Sequence, residues 1–421
     1  MNAAPQRFGG LEGLRTIGVV AVFATHTGFA TGVTMGSRWN IALDGHVVRP
    51  ASLLGHLEIG PAIFFMISAF LLYRPFVTAA YEGRVAPGKG RFLRRRFVRV
   101  FPAYWLTLVA LWALGSVKVD SVSHAIRLAT LTQIYSERDF FRNPVLVPTW
   151  TLATELTFYF FLVAYVSLMH RRTTPVDAPT RLRRELIAAG VLCVFAVVWR
   201  GVVYALAPTS GTVANWTHVA EHWLPGTIDV FAVGLALAAI DGYIRTGGEL
   251  PRVLAGAVRH PDVCVAVAIG WFLLVPLTTN ASTGIGFSTG WDAFGRNLFQ
   301  MLCAATLLLP VVFGDQRVGW YRRLVRLPFM AYVGLVSYGI YLWHDYWIVK
   351  AVEWSGGRIA FYANFWLVGI AAFVLSLACG AVSYHVIERP ALDADARRAS
   401  ARGAAEPRPK GVAATNGVTQ P

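Results

Sequence analysis

Leu186-Ile-Ala-Ala-Gly-Val-Leu-Cys-Val-Phe-Ala-Val-Val-Trp-Arg-Gly-Val-Val-Tyr-Ala-Leu206 holds one charged side chain, Arg200, and shows no polar stripe at helical spacing. A hydrocarbon core of about 30 Å takes roughly 20 residues of helix, so a run of this length reads as a bilayer crossing. Nine further runs of the same kind lie on either side of it, and the ten predicted spans are 11–33, 57–79, 97–117, 149–169, 186–206, 223–241, 262–278, 296–313, 330–350 and 362–388. The seventh is short and carries Pro276. The expected fold is all-α: a polytopic membrane protein of about ten helices.

The whole-chain composition agrees. Of 421 residues 55% are hydrophobic and 14% charged, where a soluble domain carries about a quarter charged. A net charge of +15 would point to nucleic acid in a soluble protein, but here the apolar runs exclude that partner. The four cysteines (Cys193, Cys264, Cys303, Cys379) fall in four separate runs without CxxC or metal spacing, which excludes a disulfide scaffold and leaves no metal site expected. The first run contains Glu12, Arg15 and His26 and outlasts a signal peptide, so it is expected to remain as a helix.

Loop cations set the orientation. With the N-terminus inside, inner segments hold 27 Lys and Arg and outer segments 8, which places both termini in the cytoplasm of a bacterial inner (plasma) membrane. Residues 1–392 form the expected membrane domain, with no attached esterase-like domain, and 393–421 a disordered basic tail. No internal repeat relates the first five spans to the last five, and the 118–148 loop includes an amphipathic stretch at 124–135.

Ionisable groups inside spans are costly and mark function. Counting along helices puts His26 ~22 Å, His344 ~21 Å and Glu155 ~20 Å from the cytoplasmic face, with Ser68 near the midplane. A second tier at the cytoplasmic end holds Arg15, Arg74, Arg96 and Arg99, with Glu12 and Glu388 nearby. Arg15 and His26 are 11 residues apart, which on a helix is one face and ~16 Å of rise.

Arginine clusters bind phosphates, and an imidazole beyond them can act as general base on a hydroxyl. Acyl-CoA, as co-substrate rather than bound cofactor, fits both tiers: phosphates among the arginines and the thioester at His26, with Glu155 or another group orienting the ring. Plainer readings stand beside this one. His344 shares a face with Ser337 and Tyr341 and could form a polar seam; Glu12 could simply pair with Arg15; the run Arg91 to Arg99 could serve topology alone. A proton-coupled transporter or flippase of a sugar-containing substrate, with His26, Glu155 and His344 as relay, is the alternative function.

Six segments also carry a resemblance. Leu11-Glu-Gly-Leu-Arg15 through His26, Phe64-Phe-Met-Ile-Ser68-Ala-Phe-Leu, Arg96-Phe-Val-Arg99-Val-Phe-Pro-Ala-Tyr104, Trp150-Thr-Leu-Ala-Thr-Glu155-Leu-Thr-Phe-Tyr159, Ser337-Tyr-Gly-Ile-Tyr-Leu-Trp-His344 and Ile387-Glu388-Arg-Pro390 occur in that order. Together they resemble the membrane acyltransferase family 3, bacterial O-acyltransferases of polysaccharides, lipid-linked sugars and some antibiotics. The resemblance implies acyl-CoA as donor, acetyl-CoA by default, and a carbohydrate, glycolipid or other hydroxyl as acceptor. It implies Arg15, His26, Arg96 and Arg99 as functional residues and a separate protein for any later transfer step. Glu12, Ala69 and Leu156 depart from the family's usual Asp, Gly and Glu.

Overall fold

A computed structural model describes residues 9–33, 41–43, 46–48, 52–170, 176–206, 216–278, 291–356 and 364–405. The chain runs through α1 (Gly9–Ala30), a short antiparallel hairpin of β1 (Ile41–Leu43) and β2 (His46–Val48), then α2 (Ser52–Gly55), α3 (Ile59–Tyr81) and α4 (Lys89–Ala113). Two short helices follow, α5 (Val122–Ala129) and α6 (Glu137–Arg142), before α7 (Trp150–Met169), α8 (Ala178–Ala205), α9 (Trp216–Ala220) and α10 (Leu224–Arg245). The remainder comprises α11 (Arg252–Arg259), α12 (Pro261–Thr278), α13 (Trp291–Val312), α14 (Trp320–Leu324), α15 (Pro328–Leu335), α16 (Ser337–Trp354), α17 (Phe365–Ser383) and α18 (Arg389–Ala405).

The centre is α3, which packs against α1, α10 and α13, with α8 covering α10 and α17 covering α16. Its inward residues Met66, Ile67, Phe70 and Tyr73 are fully buried. On α8 and α17, by contrast, Val191, Val194, Val198, Trp366, Ile370 and Val374 stay exposed, as lipid-facing side chains do. Helix starts follow from local chemistry: Ser121 accepts from the His124 amide, Asp177 from Thr180, and Asn364 from Trp366 and Leu367.

Glycine fixes the position of α1. A Cβ on Gly13 would stand 1.9 Å from the Val325 carbonyl oxygen, and one on Gly334 would stand 1.8 Å from that of Glu12. Only hydrogen at these two positions lets α1 lie against the end of α14 and against α15, and these contacts set where Arg15 and His26 project.

All ten predicted runs fall on helices, but the count of ten spans is not reproduced by length and apolarity. Among the described residues six helices qualify, and a seventh if α11 and α12, bent by 102°, count as one. Charged residues lower the apolarity of α1 (Glu12, Arg15), α4 (Arg91 to Arg99) and α16 (Asp345, Lys350, Glu353). The ninth run is broken at Val336, where Ser337 Oγ donates to the Gly334 carbonyl (2.8 Å) and competes with the helix ladder. The tenth ends in a π-helical turn, Tyr384–Glu388, which turns Glu388 inward.

The expected disordered tail is corrected over its first part. Helix α18 runs to Ala405, favoured by its alanines and arginines and tied down where Arg94 Nε donates to the buried Asp395 (2.7 Å). Residues 406–421 lie outside the described residues.

Candidate active site

Helices α1 and α16 bring together His26, His344 and Asp345. His344 is 3% exposed and its Nδ1 donates to the Tyr341 carbonyl oxygen (2.6 Å), so its Nε2 is the accepting nitrogen. His26 Nδ1 lies 2.6 Å from Asp345 Oδ1 and 3.2 Å from His344 Nε2, two acceptors facing one nitrogen. That assigns the proton to Nδ1 and leaves Nε2 as the basic nitrogen of His26. The ring lines a chamber with Glu58, Trp150, Glu221, His222 and Arg296, all of which sequence reasoning passed over except Trp150.

The three groups present ligand atoms within 4.8 Å of one another, a donor set of the kind that holds zinc. The 2.6 Å contact is that of a shared proton, however, since ligands around a tetrahedral zinc stand about 3.3 Å apart.

A second chamber is lined by Arg15, Ser68, Arg96, Arg99, Glu155 and Tyr159. The expectation that Glu155 sits beside His26 is corrected here: its carboxylate accepts the Ser68 hydroxyl and interacts electrostatically with Arg96. Depth counting gives a residue's height but not the direction in which its side chain points, and Glu155 points into the chamber of Ser68 and Arg96. Asp345 takes the place beside His26. Arg15 pairs with Glu12 (3.0 Å) and Arg99 with Glu388 (3.3 Å), while Arg96 Nε is buried with no hydrogen-bond partner. Arg74 does not join this group; its Nε donates to Asp241 (2.7 Å), which also accepts from Arg245.

Phe65 and Tyr341 line both chambers and form the wall between them. The Tyr341 hydroxyl accepts from Thr151 Oγ1 (2.8 Å) and donates to the Pro148 carbonyl, which pins the ring. Arg15 and His26 therefore serve different chambers from one helix. Asp345 carried a signal in the sequence, an acidic residue next to a candidate histidine, but adjacent positions project about 100° apart on a helix and it was not weighed.

The acyltransferase domain model matches residues 8–385. BcsY of Komagataeibacter xylinus, named as a membrane-bound transacylase, is 25% identical over 94% of this chain and 86% of its own length. The exopolysaccharide production protein ExoZ of Rhizobium meliloti is 26% identical over 82% of this chain and 93% of its own. The peptidoglycan O-acetyltransferase OatA of Listeria monocytogenes is 22% identical over 79% of this chain and 48% of its own. No solved structure matches the chain.

Proposed function

This chain belongs to the acyltransferase domain family, and on that premise we propose that it moves an acyl group, acetyl by default, from cytosolic acyl-CoA to a carbohydrate or glycoconjugate hydroxyl. In this reading the ten helices that coincide with the predicted runs cross the bacterial inner membrane, with both termini in the cytoplasm. The arginine chamber faces the cytosol and takes the phosphates of acyl-CoA on Arg15, Arg96 and Arg99. The histidine chamber takes the acceptor.

His26 Nε2 removes the proton of the acceptor hydroxyl as its oxygen attacks the thioester carbonyl. The tetrahedral intermediate then collapses, the C–S bond breaks, and the proton passes from His26 to the departing thiolate, giving ester and free CoA thiol. Asp345 keeps the Nδ1 proton in place and stabilises the imidazolium between the two steps, while His344 backs the same nitrogen. The observation that supports this most is the pairing of His26 with Asp345, because it directs Nε2 to the task and gives the base a counter-charge. The relatives' names support an envelope carbohydrate as acceptor. The transporter alternative is not favoured, since the family and the named relatives transfer acyl groups. Release of free thiol from acetyl-CoA by the purified protein, compared with His26→Ala, tests the reading; equal rates would overturn it.

A further inference from the structure

Two polar side chains of the histidine chamber take no part in the chemistry above. Glu58 precedes α3, makes no cap hydrogen bond, and lines the chamber beside His26, interacting electrostatically with His26 and Arg296. Gln300 of α13 is only 8% exposed and lines the same chamber, and its Nε2 is buried with no hydrogen-bond partner. A buried amide left unpaired in a cavity is a donor waiting for an acceptor. The Trp150 ring lines the same chamber, held by edge contacts to Phe65 (centroids 5.8 Å) and His222 (4.5 Å).

Charge narrows the occupant. The carboxylates of Glu58, Glu221, Asp229 and Asp345 line the two lobes of this chamber against the guanidiniums of Arg200 and Arg296. Arg200 is committed to Asp229 (2.6 Å) and the Gly226 carbonyl (2.7 Å), and Arg296 faces Glu221 (3.9 Å). An incoming carboxylate or phosphate would meet an excess of negative charge in a low dielectric.

Resting on the transferase reading, we propose that this chamber is an acceptor subsite selective for an uncharged glycosyl unit. Glu58 accepts and Gln300 donates hydrogen bonds to its hydroxyls, and Trp150 carries the apolar face of its ring.

The test uses the full chain in detergent with acetyl-CoA and two probe acceptors, methyl β-glucoside and methyl β-glucuronide, and reads the O-acetylated glycoside by mass spectrometry. Wild type is expected to use the glucoside with a kcat/KM at least about tenfold above that for the glucuronide. Glu58→Gln is expected to raise KM for the glucoside about tenfold with little change in kcat, and to narrow the preference between the two probes; Gln300→Leu is expected to raise KM similarly. Equal use of both probes by wild type, a preference unchanged in Glu58→Gln, or no acetylated glycoside while thiol release persists would each overturn the subsite. The wild-type comparison needs no variant to fold. Thiol release that does not depend on His26 would instead bring down the transferase reading, and it is measured without either glycoside.

Discussion

Asp345 Oδ1 stands 2.6 Å from His26 Nδ1 although 319 positions separate the two residues in the chain. The contact joins α1 to α16, and it decides which imidazole nitrogen is basic. Replacing the carboxylate by an amide keeps the shape and removes the charge. Asp345→Asn should lower kcat by about a hundredfold or more, with KM for acetyl-CoA nearly unchanged, because the base loses its tautomer control and its counter-charge. Steady-state thiol release measures both constants.

The arginine chamber should respond through binding instead. Arg96→Lys keeps the charge but loses the planar fork, and it should raise KM for acetyl-CoA about tenfold, with a smaller change in kcat. The penalty of Arg→Lys at positions 96 and 99 should shrink when the 3′-dephospho thioester is used, if one of these guanidiniums holds that phosphate. Titration of wild type and variants with both thioesters checks the assignment.

At Gly13 the expected effect is structural. A methyl group would fall 1.9 Å from the Val325 carbonyl oxygen, so α1 must shift away from the C-terminal end of α14. Gly13→Ala should destabilise the protein by about 1–3 kcal/mol, as overpacking does, and should also reduce transfer, because both Arg15 and His26 ride on α1. A lowered thermal midpoint in detergent together with reduced thiol release is the outcome to look for.

Outside the membrane helices, the loop of residues 118–148 is clasped by Asp120. Its carboxyl is held below the ordinary carboxylate range, first by the hydrogen bond from His124 and also by Arg142 and Arg138. A depressed carboxylate stabilises the fold above its unfolded value of about 3.9, and that contribution is lost as pH falls through the lower folded value. Protection from hydrogen exchange in 118–148, taken relative to the intrinsic rate at each pH, should therefore fall on acidification below about pH 4, and Asp120→Asn should show the lower protection already at neutral pH.

Much of the fold was legible because lipid demands long apolar runs, and each of the ten runs lies on a helix. What the sequence hid were interruptions made by single side chains, as at Ser337, and the continuation of α18 beyond Leu392 through the tie between Arg94 and Asp395. Depth and helix phase singled out His26, Arg15, Arg96 and Arg99, and the structure sets the first in one chamber and the three arginines in the other. Glu155 and Arg74 were misplaced because counting gives height but not azimuth: Glu155 turns to Ser68, and Arg74 to Asp241. Gln300 escaped notice because its significance lies in a buried amide nitrogen without a partner, and Glu58 because the chamber that it lines is formed only by the packing of distant helices, neither of which a spacing rule reveals.

The wall of Phe65 and Tyr341 gives the molecule an economy of transport. If the arginine chamber faces the cytosol as proposed, coenzyme A never needs to leave the compartment that makes it. Only the thioester end of the pantetheine arm need pass the two rings, where its acyl group leaves as an ester and the thiol withdraws. The acceptor's chamber would thus be supplied from the other side of the ring pair, with Phe65 and Tyr341 parting donor from acceptor between turnovers.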